Sequence, residues 1–259
     1  MAKCWLFLNL NKSSIKYLMS RGINNYLAIL CLCFGLFINA QNENEFLKSI
    51  KTNLNKPGKV IFSDDFKIDK KNWIAEFEKP GDSSLKIGDG HLELIAAAGA
   101  TVWYKNKIEG NVMITYTATI VNVGGKYDRV SDMNTFWMAT NPENAIIFNQ
   151  SGKFSDYDKL HLYYAGIGGH DNTTTRFRKY AGDKGKEILK EYTDKEHMLI
   201  GNKKYLIKIL VNKGLVQYYV NDILFWEFDD ALPYNDGYFG FRTTTSHQVY
   251  GDFKVLKLD

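Results

Sequence analysis

Beyond position 33 the chain contains no cysteine; its three (Cys4, Cys31 and Cys33) all lie upstream. The rest can therefore form no disulfide and no thiolate metal site. Small secreted domains often need disulfides because their cores are thin. Residues 41–259 are numerous enough to bury a sizeable core without them. Acidic residues are missing from the first forty positions, which hold Lys3, Lys12, Lys16 and Arg21. An apolar run, Tyr26 to Ile38, follows and ends at Ile38-Asn39-Ala40. It is shorter than the roughly 20 residues that a bilayer span requires. A basic start, a short apolar stretch and a small residue before the cut predict a signal peptide over 1–40, cleaved after Ala40. Met19 would give a leader of more usual length. Leu30 and Leu32, rather than small residues, precede the two central cysteines, which disfavours a lipid anchor. The expected location is secreted or periplasmic, with no membrane contact after cleavage.

Net charge is also missing once the leader is gone. The whole chain carries +4, and the four leader cations account for all of it. No basic surplus remains to suggest a nucleic-acid partner. Long helical periodicity is absent as well. Residues 41–59 form a polar lead-in ended by Pro57-Gly58. From Val60 to the end, short alternating runs are separated by Gly, Asn and Asp, which predicts many strands in one domain over 60–259. The clearest are Lys204–Val211, Leu215–Val220 and Ile223–Phe228, the last two joined by Asn221-Asp222, a pair suited to a tight hairpin. Many short strands without intervening helices predict an all-β sandwich or jelly roll. Aromatic residues make up 14% of the chain, which fits strands and a sugar-stacking cleft.

Several catalytic signatures are absent: His-Glu-x-x-His, Gly-x-Ser-x-Gly, a phosphate loop and any assembled three-histidine cluster. Two polar-rich segments stand out, YYAGIGGHDNTTTRFRKY at 163–180 and GYFGFRTTTSHQVYGDF at 237–253. In a strand, residues two apart share a face, so Arg176, Arg178 and Tyr180 can point together. Arginine is suited to bidentate carboxylate binding; a solvated outer face is the bland alternative. His170 follows Gly168-Gly169 and precedes Asp171-Asn172, either as an accessible base or as ordinary turn chemistry. His247 is a second candidate, or a hydrogen-bonded corner residue. Trp103, Trp137 and Tyr164 are candidates for stacking on sugar rings, although strand aromatics usually serve the core. Calcium prefers carboxylate and carbonyl oxygens, and Asp252 with Asp64 or Asp65 would supply them.

FSDDF at 62–66 together with these two segments resembles the concanavalin A-like β-jelly-roll proteins of polysaccharide-utilisation systems in marine Bacteroidetes. The likeness is greatest to the ulvan oligosaccharide dehydratase and uronate lyase type. The Glu-x-Asp-x-Glu motif of jelly-roll glucanases is absent, as are the Arg-Thr-Glu and Gln-Ile-His signatures of alginate lyases. The resemblance implies β-elimination at a uronate of an acidic oligosaccharide or polysaccharide, with no required cofactor and a monomeric enzyme. Arg176, Arg178 or Arg242 would hold the carboxylate. His170 would act as base, and Tyr164, Tyr180 or Tyr250 as acid. His247 would bind or assist catalysis, and Asn172 would bind substrate beside Trp103 and Trp137. The alternatives are a non-catalytic carbohydrate-binding module and a glycoside hydrolase. The assignment requires both polar-rich segments to meet in one groove.

Overall fold

The computed structural model describes residues 58–68, 71–143 and 147–258. The predicted leader and nearly all of the lead-in lie outside them. Among the described residues there are sixteen strands: β1 Lys59–Asp64, β2 Trp73–Phe77, β3 Ser84–Gly88, β4 His91–Ala96, β5 Ala100–Tyr104, β6 Ile108–Glu109, β7 Val112–Ile120 and β8 Met133–Thr140, followed by β9 His161–Gly168, β10 Thr174–Ala181, β11 Lys186–Tyr192, β12 Lys204–Asn212, β13 Leu215–Val220, β14 Ile223–Asp229, β15 Asp236–Thr243 and β16 Ser246–Lys257. Sheet I has the order β14-β13-β12-β7-β16-β4-β3, with β1 paired to β16; sheet II has the order β11-β10-β9-β8-β15-β5-β2, with β6 paired to β15. Neighbours remote in sequence, such as β7 beside β16 and β5 beside β15, make this a jelly roll rather than a meander. Among the described residues no helix is long and apolar enough to cross a membrane.

Period-two alternation drives the stacking of the sheets. Tyr205, Ile207, Ile209 and Val211 of β12 are buried, and each successive pair lies on the same face. Asn221 and Asp222 have φ of 51° and 65°, the left-handed pair that a two-residue hairpin needs. The sandwich core is strongly aromatic. Phe177 stacks on Trp226 at 5.0 Å, and Phe241 on Tyr250 at 3.8 Å.

A second, smaller core lies on the other face of sheet II. There Trp103, Phe136, Tyr164 and Tyr180 pack with Ile147 and Tyr157 from the segment after β8. Sheet II is thus buried on both faces over part of its width, and the segment at 147–157 acts as a roof.

Candidate functional site

The site is built on one lateral row across sheet II. Register places Glu76, Thr101, Arg242, Asn134, Gly166, Arg176 and Glu191 side by side on seven neighbouring strands. The roof covers the start of this row. Glu76 is 5% exposed and accepts three hydrogen bonds: Gln150 N–H at 2.9 Å, Tyr157 O–H at 2.7 Å and Trp103 Nε1–H at 2.9 Å. Arg242 is 1% exposed and donates to Gly152 O at 2.6 Å and Thr101 Oγ1 at 3.3 Å. Two buried charged groups thus fasten the roof to the sheet.

The other end of the row is open. A cleft of about 300 Å³ is bordered there by Arg129, Asp132, Tyr164, His170, Arg176 and Arg178, with Phe154 of the roof at its edge. Its three arginines differ in how many donors are engaged. Arg129 donates through Nε to Thr245 O at 2.8 Å, through Nη1 to Asp171, and through Nη2 to Asp132 at 2.5 Å and Thr244 Oγ1 at 2.8 Å. Arg176 is shared between Glu191 and His170, with Nη1 2.7 Å from His170 Nε2. Arg178 is half-buried and has no hydrogen bond or ion pair among the described residues.

Tyr164 is the register partner of Arg178. Its hydroxyl lies over Gly166, where an added Cβ would sit 2.6 Å from Tyr164 Cζ and closer still to the oxygen. Burial pushes the Tyr164 hydroxyl well above the ordinary tyrosine range, an effect that Asp132 reinforces and Arg178, Arg242 and Arg176 oppose. It therefore remains a proton donor at neutral pH. Asn134 Oδ1 and Thr174 Oγ1 are buried without hydrogen-bond partners among the described residues, and both residues border the cleft.

His170 is carried by a left-handed turn between β9 and β10. His170, Asp171 and Asn172 have φ of 52°, 57° and 64°, and Gly168 has 69°. A left-handed non-glycine residue costs roughly 1–2 kcal/mol, so the turn must be held. Asn172 does part of this, accepting from Leu199 N–H at 2.8 Å and donating to Leu199 O at 2.9 Å.

The structure places His170, Tyr164, Arg176 and Arg178 around one cleft and the other candidates elsewhere. The second polar-rich segment contributes only Thr244 to the cleft, so the two segments do not meet in one groove as expected, and the site rests on the first segment together with the β7–β8 loop. His247 lies on the outer face of sheet I, with Nδ1 2.9 Å from Asp128 and Nε2 3.0 Å from Glu93. Tyr250 is on the core-facing side of the same strand and donates to Gln248. Trp137 is in the sandwich core against Tyr163 and Tyr218. Tyr180, Trp103 and Arg242 do face away from that core, but the second core covers them. Asn172 is occupied with Leu199. Asp64, Asp65 and Asp252 share one depression with Lys254. Asp64, however, already accepts from Phe66 N–H and Trp73 Nε1–H, both at 2.9 Å. Among the described residues no group of three His, Cys, Asp or Glu is placed to hold a metal ion.

Arg129 and Asp132 escaped the sequence reading. They sit in a charged, glycine-bearing connection between β7 and β8 that has the composition of a solvated loop. Only the ladder that brings β8 beside β9 and β15 carries them to the cleft.

Fold and cleft together define an all-β jelly-roll protein with an arginine-rich pocket on one sheet. The chain belongs to the family described as a domain of unknown function, DUF6250, whose model matches residues 94–253, from β4 into β16. No curated protein matches it in sequence. Among solved structures, a Bacillus subtilis protein of unknown function with a galectin-like fold is 17% identical, with a TM-score of 0.65, covering 78% of this chain and 98% of that one. The endo-β-1,3-glucanase of Pyrococcus furiosus is 11% identical, with a TM-score of 0.54 and coverage of 78% and 95%. The carbohydrate-binding module CBM66 of Bacillus subtilis is 13% identical, with a TM-score of 0.50 and coverage of 72% and 96%. At these identities the likeness is one of fold.

Proposed function

We propose that the cleft binds the uronate of an ulvan-like acidic saccharide and catalyses β-elimination across its C4–C5 bond, as a dehydratase or lyase. The observation that carries this reading is Arg178, a half-buried guanidinium at the cleft with no ion pair among the described residues, beside the Tyr164 hydroxyl. A sugar carboxylate would satisfy Arg178, and sugar hydroxyls would satisfy Asn134 Oδ1 and Thr174 Oγ1. Fold neighbours that include a carbohydrate-binding module and a glucanase agree with a saccharide ligand.

In the proposed step, neutralising the carboxylate stabilises the enolate-like transition state. His170 Nε2 is the unprotonated ring nitrogen when Arg176 donates to it. Substrate carboxylate drawing Arg176 away frees that lone pair to take the C5 proton. The C5–H electrons become the C4–C5 double bond and the C4–O4 bond breaks. Tyr164 O–H protonates the departing oxygen, and solvent returns both groups to their starting states. The roof closes the row beyond Asn134, so a saccharide enters by its end. A terminal uronate would lose water, whereas an internal linkage would be cut. The acid-free leader supports export, which would place the enzyme where such glycans are met.

The test is incubation with a panel of uronate oligosaccharides, ulvan-derived ones included, read by mass spectrometry and by the ultraviolet absorbance of the unsaturated uronate. Loss of one water without chain shortening indicates dehydration. Arg178→Ala and Tyr164→Phe should each lower turnover by roughly two decades or more. Saccharide binding with no unsaturated product from any of them would make this a binding module instead. Glycoside hydrolysis is less well supported, because the two acidic residues bordering the cleft, Asp132 and Asp171, are both ion-paired with Arg129.

A further inference from the structure

Four of Arg129's five N–H donors join three separate chain segments: its own loop through Asp132, the β15–β16 turn through Thr244 and Thr245, and the left-handed turn through Asp171. Its carbonyl is held as well, by Ser246 Oγ at 3.2 Å. The neighbouring Asp128 is braced from behind. Its carboxylate accepts Val123 N–H at 2.8 Å and Gly125 N–H at 3.0 Å, and faces His247 Nδ1 at 2.9 Å. On the other side, Ser131 Oγ donates to Gly168 O at 2.8 Å, at the start of the left-handed turn. A continuous chain of contacts therefore runs from the outer face of sheet I to His170: Glu93, His247, Asp128, Arg129, Asp171.

We infer that Arg129 is a positioning residue that holds the strained His170 turn in the cleft, and that His247 braces the loop carrying it. This deepens the elimination reading and rests on it for the kinetic outcome only. A guanidinium with four donors engaged is poorly placed to bind substrate, and Arg178 remains for that task. The strain in the turn explains why a clamp is needed: three consecutive left-handed non-glycine residues do not keep such a shape unaided. The ion pair with Asp171 joins the middle of the turn directly to the loop.

The test compares wild type with Arg129→Lys and Asp171→Asn, the second sparing Arg129's other bonds in case the first disturbs folding. Histidine labelled with ¹⁵N reports on the His170 imidazole directly. Wild type should show one neutral tautomer, with the proton on Nδ1, and both variants should show tautomer averaging. Affinity for a glucuronate oligosaccharide, measured calorimetrically, should change less than about threefold, because Arg178 is intact. Turnover should fall roughly a hundredfold in kcat with little change in KM, as expected from lost orientation. Unchanged His170 signals in both variants would overturn the inference. So would a collapse of affinity in Arg129→Lys, which would make Arg129 a ligand-binding group. If wild type shows no turnover, the elimination reading fails, while the imidazole spectra still decide the positioning role.

Discussion

Gly166→Ala isolates the closest approach in the cleft. Gly166 has no positive φ, so alanine is tolerated by the backbone and only its Cβ matters. That carbon would meet Tyr164 at Cζ, 2.6 Å, and at Cε1, 2.8 Å. The ring cannot easily retreat, because Phe136 lies 5.7 Å away, Phe154 5.8 Å and Tyr180 6.0 Å, centroid to centroid. Overpacking of this kind costs about 1–3 kcal/mol. The lower entropy of the unfolded chain returns about 0.4–1 kcal/mol. The expected net loss lies between about 0 and 2.6 kcal/mol, up to roughly 10 °C in Tm for a domain of this size. Urea and thermal unfolding would measure it, with Gly81→Ala as control, since a Cβ there meets nothing within 4 Å. In a Tyr164→Ala background the added methyl should become harmless, giving a coupling of about 1 kcal/mol or more. Equal cost of Gly166→Ala in both backgrounds would refute the steric reasoning.

Other perturbations address the charged groups. Burial alone would raise the Asp230 pKa, but Lys179, the Tyr163 hydroxyl and the Leu232 amide outweigh it and lower the pKa overall. Asp230 therefore contributes stability that is present above its unfolded pKa of about 4 and lost as pH falls through the lower folded value. Acid unfolding curves should lose part of that limb in Asp230→Asn. The same variant leaves Lys179, with 16% of its side chain exposed, without a counter-charge, and should cost about 2–4 kcal/mol at neutral pH. Glu76→Gln turns an amide toward converging donors and should cost about 2–4 kcal/mol, with a red shift of tryptophan fluorescence as Trp103 is wetted. An unshifted spectrum and an unchanged urea midpoint would show that Glu76 does not anchor the roof.

Much of the strand pattern was legible because alternation and turn chemistry are local. The β12–β14 region, with Asn221-Asp222 at its second turn, is readable from residue order alone. The shared face of Arg176 and Arg178 follows from the same rule. What alternation cannot give is which face becomes core. Tyr250 and His247 are three residues apart on β16, and only the packing of the two sheets sends one inward and the other out. Trp137 and Phe136 differ by one position and end in different cores. Arg242 faces the predicted side, yet the roof, a segment without strong periodicity, removes it from solvent. Arg129 needed two long-range ladders to reach the cleft, and a loop sequence contains no trace of them.

The roof has a consequence for how this architecture can diversify. Beneath it lies a ready-made aromatic floor, Trp103, Phe136 and Tyr180, kept dry by one stretch of chain rather than by the sheet. Shortening that stretch would convert a blind pocket into an open trough with hydrophobic subsites already in place. On the saccharide reading proposed above, chain-end and mid-chain ligand preference could thus be exchanged by trimming a single connection, with the sandwich frame and the arginines bordering the cleft untouched.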